Sequence, residues 1–233
     1  MQLNTEKLVC PYCQGSKVVK NGRRANGSQV YYCKTCKKCY QNGYRYRGAD
    51  PQIRLLARDM LINCAGIREV SRVLHIGTGY VLHLLLSFKD LCWIPKHKHY
   101  HQVEVDEVYS FVKSKKKKVW ILYAYCKNSR EILAVTLGKR NRKTVRELYK
   151  RLKDIQVDYW CTDKWEAFKE VFPKAKHLIG KEFTKTIEGV NTWLRSACKR
   201  LVRRTTAFSK KVLNHWIAIK LAMYHRNNRL SII

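Results

Sequence analysis

The stretch Gln102–Val112, QVEVDEVYSFV, alternates polar and apolar side chains as a β-strand does. That alternation puts Glu104 and Asp106 on one face and Val103 and Val105 on the other. Acids inside such a strand call for a reason, because the 233-residue chain holds 48 Lys and Arg against 17 Asp and Glu, a formal charge of +31. A basic surface attracts phosphates but does not cut them. Cutting a phosphodiester usually needs hard metal ions, and those need carboxylates.

Downstream, the run Lys115–Lys118 fits a basic hairpin tip, followed by the strand Val119–Cys126 and, after a KNSR turn, the strand Glu131–Leu137. Thr144–Leu152 reads as an amphipathic helix with Thr144 as its cap and Glu147 three residues on. Val157–Cys161 is a short strand that delivers Asp163 at its C-terminal end, where α/β sheets present ligands. Trp165–Val171 is a short helix stopped by Pro173, Ala175–Ile179 reads as a last strand, and Thr186 to Arg229 is helical in pattern. Three meandering strands, a helix, a strand and then helices make an α/β order, a mixed sheet with helices. In the last segment Val190, Leu194, Ala197 and Leu201 form the apolar stripe, with Glu188, Thr192, Arg195 and Lys199 opposite. Glu188 is then free to face a cleft. Glu104, Glu107, Asp158, Glu166, Glu170 and Glu182 read as solvated or surface acids, and Cys64, Cys92, Cys126, Cys161 and Cys198 as core thiols. His97, His99 and His101 alternate in a Lys-rich linker, and His177 lies between Asp163 and Glu188.

Upstream, residues 49–95 read as short helices: Pro51–Ile62, Ile67–Leu74 and Thr78–Phe88. The last two flank the tight turn His75-Ile76-Gly77 and resemble a helix-turn-helix, with Thr78, Tyr80 and His83 on the reading helix. Residues 1–48 hold Cys10-Pro-Tyr-Cys13 and Cys33-Lys-Thr-Cys36, separated by 19 residues that alternate like a hairpin. Two such knuckles complete a tetrahedral zinc site, and a zone so poor in aliphatic residues needs the metal to fold. No thioredoxin-like βαβ pattern surrounds them, which argues against redox dithiols. Cys39 reads as a bystander thiol. The expected organisation is a zinc-ribbon-like domain at 1–48, a helix-turn-helix domain at 49–95 and an α/β catalytic domain with a basic helical tail at 96–233.

The charge implies a polyanionic partner, nucleic acid first. Residues 189–233 carry ten Lys and Arg and no acid. Among them Arg195, Lys199, Arg200, Arg203 and Arg204 read as contacts to a phosphate backbone. No apolar run is long enough to span a membrane, and the N-terminus lacks the core of a signal peptide, so an intracellular protein is expected.

Asp on a first strand, Asp after a fourth and Glu on a following helix is the order of the RNase H-like nucleases. With CPYC…CKTC, VDEVYSFV, YWCTDKWEAF, TKTIEGVNTWLR and KRLVRRTTAFSK, and 24 residues between Asp163 and Glu188, the chain resembles the IS1-family transposases nearly end to end. That family usually has Arg after this glutamate, where this chain has Gly189. The resemblance implies two Mg²⁺ (or Mn²⁺) ions held by Asp106, Asp163 and Glu188, with Asp106 bridging both, and a structural Zn²⁺ on Cys10, Cys13, Cys33 and Cys36. It implies nicking at the element's terminal inverted repeats and strand transfer into target double-stranded DNA, by a dimer or higher oligomer in the cytoplasm at a prokaryotic nucleoid. Two alternatives stay open: a zinc/helix-turn-helix regulator with an inactive nuclease-like domain, and an RNase H-like nuclease or resolvase.

Overall fold

In the computed structural model, residues 8–41, 46–202 and 207–229 are described. The chain forms two compact units, Met1–Met60 with Ile67–Leu82, and Leu61–Gly66 with His83–Ile233.

In the first unit, β1 (Val18–Arg23), β2 (Gln29–Cys33) and β3 (Cys39–Gln41) form an antiparallel sheet in that order. Its core is small: Cys10, Cys33, Tyr31 and Tyr40, with Leu8, Val18 and Cys36 packed against them. Helices α1 (Pro51–Ile62), α2 (Ile67–Leu74) and α3 (Thr78–Leu86) match the expected segments, although α3 stops two residues early. Between α2 and α3 the chain turns at His75, which has φ 52°, and the turn is tied by Ser71 Oγ donating to the Ile76 carbonyl at 2.6 Å.

The second unit is built on β4 (His99–Val112), β5 (Ser114–Cys126), β6 (Glu131–Gly138), β7 (Gln156–Thr162) and β8 (His177–Ile179). Their order in space is β6-β5-β4-β7-β8. The pairs β6–β5 and β5–β4 are antiparallel, whereas β4–β7 and β7–β8 are parallel. Numbered within this sheet the order is 3-2-1-4-5. One face carries Val103, Val105, Leu122 and Ala124 against Val145 and Leu148 of α4 (Arg142–Lys150) and Phe168 of α5 (Glu166–Lys169). The other carries Val108, Ile121 and Tyr123 against Ile187, Val190 and Leu194 of α6 (Lys185–Ala197) and Ile219 and Met223 of α7 (Val212–Arg229). An interior strand covered on both sides explains why β5 is continuously apolar from Val119 to Cys126.

Several local readings change. The lysines of Lys115–Lys118 belong to β5. The turn is at Lys113 (φ 69°), and the register slips between Phe111↔Lys118 and Val112↔Ser114. Helix α4 is capped by Asn141, whose side chain accepts from the Thr144 N–H at 3.1 Å. Thr144 is buried against Gly138 and donates to the Lys139 carbonyl at 2.7 Å, so it locks the helix to β6 from within the first turn. Glu147 pairs with Arg151 instead of closing a capping box. The helical pattern after Thr186 is interrupted: α6 ends at Ala197, a 3₁₀ turn covers Lys199–Leu201, and α7 begins at Val212. No Gly or Pro forces this break. Cys198, fully buried beside Cys64, adopts an extended backbone and takes Lys199 off the line of Glu188. Cys64, Cys126 and Cys161 are buried as expected, but Cys92 is exposed.

Gly189 lies inside α6, and a Cβ built there meets nothing within 4 Å. A glycine at an open helical position weakens the helix by roughly 1 kcal/mol relative to alanine. Gly189→Ala is therefore expected to raise unfolding stability by about 0.5–1 kcal/mol, read as a higher denaturant midpoint with an unchanged slope.

Candidate active site and metal centre

The four cysteines come together. Cys10 and Cys36 sulfurs are 3.6 Å apart, as are those of Cys13 and Cys33, and all four lie within 4.8 Å of one another. A tetrahedron with bonds of about 2.3 Å has edges of about 3.8 Å, so the cluster has the dimensions of a zinc-binding motif. The sequence builds both knuckles alike. Gln14 N–H bonds the Cys10 carbonyl and Lys37 N–H the Cys33 carbonyl, each at 2.9 Å, with Gln14 (φ 58°) and Lys37 (φ 56°) in the left-handed region. The knuckle N–H groups of Cys36 and Thr35 point at the Cys33 sulfur and lower its pKa to about 6, whereas burial pushes Cys36 up to about 12. Four thiolates in one place need a cation. Cys39 is exposed, accepts from Asn21, and is not part of the group.

In the second unit the structure answers what the acids of β4 do. Glu104 is not solvated: it is 2% exposed and accepts from the Ile187 N–H at 2.7 Å, an otherwise unpaired donor in the first turn of α6. Asp106, two residues on and on the same face, accepts from Asn191 Nδ2 at 2.7 Å and from the Glu107 N–H at 2.8 Å. Asn191 in turn accepts from the Tyr123 hydroxyl at 2.6 Å, and that hydroxyl also reaches the Ile187 carbonyl at 3.2 Å. The strand and the helix are thus joined at both ends of one turn, and Glu188 sits within that turn, exposed. Glu104 pairs with Cys161 in the parallel register. Carrying that register forward sets Asp106 level with Asp163 one strand away, a separation of about 4.8 Å between backbones. Asp163 is half-buried and accepts from the Trp165 N–H at 2.9 Å.

Electrostatics place the three acids in one field. Burial raises the pKa of Asp106 to about 6 against the pull of its two donors, and the charges of Asp163 and Glu188 add to the rise. Glu107 points to the other face. Burial raises it to about 7, offset by Arg140, whose Nε donates to Oε1 at 2.7 Å. Among the described residues, however, the cysteines are the one cluster tight enough to share an ion as the side chains stand. The carboxylates feel one another without converging to that degree.

The remaining expected residues are scattered. Thr78 and His83 are exposed on α3, and Tyr80 packs edge-on against Tyr46. Arg195 is half-buried, Lys199 is exposed, and Arg200 donates to Ser209 Oγ at 3.3 Å. Arg203 and Arg204 lie outside the described residues. His99 and His101 do not line a linker: they extend from β4 and clamp Asp158 of β7 at 2.9 and 3.0 Å. His177 is half-buried, shares a 2.8 Å bond with Thr162 Oγ1, and has its pKa lowered by burial. Sequence reasoning missed Asn191, and its signal was there: a polar residue in the apolar stripe of Ile187, Val190 and Leu194.

Residues 101–225 match the sequence profile described as IS1 transposase. The chain belongs to the IS1 transposase family. The insertion element iso-IS1n protein InsB of Shigella dysenteriae is 42% identical over 112 residues, 48% of this chain and 86% of that protein. The IS1 protein InsB of Shigella flexneri is 33% identical over 123 residues, 50% of this chain and 94% of that protein. A solved chain of a simian T-cell lymphotropic virus intasome in complex with PP2A regulatory subunit B56 gamma is 14% identical at a TM-score of 0.35. The overlap covers 60% of this chain and 58% of that one, and a likeness this loose carries no argument. Membership in the IS1 family supports phosphoryl-transfer activity at the level of the family, and the profile covers Asp106 on β4, Asp163 just after β7 and Glu188 on α6. No described helix is long and apolar enough to cross a membrane.

Two outcomes follow from the geometry. Removing metal with a strong chelator, or the change Cys33→Ser, is expected to release one bound ion per chain and to open residues 8–41 to proteolysis. The sheet of the second unit should stay protected, as peptide mapping would show. For Asp106, the pKa is raised from 3.8 to about 6. Below the lower value the acid is neutral in both states, and above the higher value the folded state carries a buried charge. Metal-free wild type should therefore lose about 2 kcal/mol relative to Asp106→Asn as pH rises from 4 to 7, measured by urea unfolding at each pH.

Proposed function

We propose that this chain is the DDE transposase of an insertion sequence, which binds terminal inverted repeats and catalyses metal-dependent DNA strand cleavage and strand transfer. The observation that carries this reading is Asp106: a half-buried carboxylate at the C-terminal end of a parallel strand pair, level with Asp163, tied by Asn191 to the turn that holds Glu188, and raised in pKa first by its partial burial and then by the charges of Asp163 and Glu188. Keeping such a group costs stability and gains nothing without a cation.

Asp106, Asp163 and Glu188 are the proposed ligands of Mg²⁺ or Mn²⁺, and their all-oxygen chemistry suits these hard ions. Bound there, such ions supply Lewis-acid stabilisation of the reacting phosphate and lower the pKa of the attacking water or 3′-hydroxyl. The chain's own part is orientation. Asn191 and the Glu107 N–H hold Asp106 in its ionised form, and the Trp165 N–H fixes Asp163. Zn²⁺ on Cys10, Cys13, Cys33 and Cys36 would fold a ribbon-like domain at 1–48. The α2–α3 pair in 49–95 would serve as a helix-turn-helix, with Thr78, Tyr80 and His83 toward DNA. The catalytic domain would occupy 96–233, with Arg195, Lys199, Arg200, Arg203 and Arg204 along the phosphate backbone. Work on two element ends implies a homodimer or larger assembly, in the cytoplasm at the nucleoid. A regulator with an idle nuclease-like domain would have no use for the charge held at Asp106.

With DNA carrying the element ends and Mg²⁺, wild type should nick at the ends, and Asp106→Asn should lower that rate by a factor on the order of 10³ or more while leaving DNA affinity intact. A wild type that never cuts, or a variant that cuts equally well, would sink the enzyme reading.

A further inference from the structure

Beside Asp163 lies an open cavity of about 810 Å³, lined among others by Arg140, Lys164, Trp165 and Lys181. Arg140 is held in an unusual way for an arginine in a loop. Its Nε donates to the buried Glu107 at 2.7 Å, and its guanidinium lies 4.3 Å from the centre of the Trp165 ring and 5.3 Å from that of Trp120. The side chain is thus fixed on three sides. Its Nη groups have no protein partner among the described residues, and the residue borders the cavity. Glu107 Oε2, buried, has no partner either, so the pair is not a closed, self-satisfied bridge. The cavity also holds acids. Glu166 is engaged by Lys169 at 2.9 Å, which leaves Asp163 and Glu182 facing Arg140, Lys164 and Lys181. Trp165 links the two halves of the arrangement, because its ring stacks on Arg140 while its N–H orients Asp163.

We infer that this cavity seats a phosphodiester of the DNA strand, with the Arg140 guanidinium donating to its non-bridging oxygens and Lys164 and Lys181 flanking it. A planar fork clamped between two tryptophans is preorganised for a two-pronged grip on phosphate, which a freely rotating lysine is not. The inference rests on the proposed DNA chemistry for its choice of ligand, and adds to it the residue that receives the substrate on the Asp163 side.

The test is binding by the full chain, free of cleavage. The Arg140 Nε–H, hydrogen-bonded and stacked, is expected to give a protected ¹⁵N–¹H resonance, assigned by its loss in Arg140→Lys and again in Arg140→Gln. Titration with the thymidine dinucleotide TpT, which has one anionic phosphodiester, should shift that resonance saturably. The neutral methylphosphonate analogue should bind at least about tenfold more weakly. No saturable shift, or equal shifts from both probes, would overturn the inference and leave Arg140 as a partner for Glu107 alone. The cleavage assay above reports separately on the enzyme reading. A chain that cuts DNA but shows no Arg140 shift loses only this inference, and one that shows the shift but never cuts loses only the enzyme reading.

Discussion

The second unit depends on enclosing two carboxylates, the buried Glu104 and the half-buried Asp106, on one face of its central strand. Neither can be left unpaired in that position, because a buried acid without donors costs several kcal/mol. Helix α6 supplies the donors. Its first-turn N–H at Ile187 meets Glu104, and Asn191 meets Asp106. A helix N-terminus is the natural partner for a carboxylate, since its unpaired N–H groups and its dipole both favour negative charge. One constraint thereby sets the position of α6, its rotation about its own axis and the location of Glu188.

The same constraint makes the site costly when empty. Asp106 carries two good donors yet titrates near 6, because burial and the fields of Asp163 and Glu188 outweigh them. The neighbouring Glu107 faces the other side of the sheet and pairs with Arg140, yet burial still holds its pKa up at about 7. Two adjacent acids thus carry a similar penalty beside different neighbours: one faces a fixed arginine, and the other an amide and two further acids. The zinc-like cluster follows a related logic. Its fold is a thin layer of Tyr31, Tyr40 and knuckle turns, and four sulfurs at tetrahedral spacing take the place of a larger apolar core.

Much of this was legible in the order of residues. The alternation of Gln102–Val112, the apolar run Val119–Cys126, the two CxxC pairs and the α2–turn–α3 segment gave their elements, because each is a local pattern of period or spacing, although β4 and β5 begin three and five residues earlier than their patterns. What misled were places where a tertiary contact overrides local preference. Thr144 has the chemistry of a cap but is drawn into the core against Gly138, so Asn141 takes the role. The helix after Glu188 has no breaker in its sequence, yet it ends where Cys198 is buried beside Cys64. Glu104 looked like a solvated strand acid and His99 like part of a linker, because their partners, Ile187 and Asp158, lie 83 and 59 residues away.

By itself the amino-acid sequence determined the family, the α/β order, the cysteine ligand set and the three candidate acids, since each is carried by residue type and spacing along the chain. Only the tertiary structure decided which acids share a field, that Asn191 donates to Asp106, and that Arg140 is clamped beside Asp163. Those relations depend on strand register and on which face a side chain takes after packing, and both are set by contacts between segments far apart in the chain.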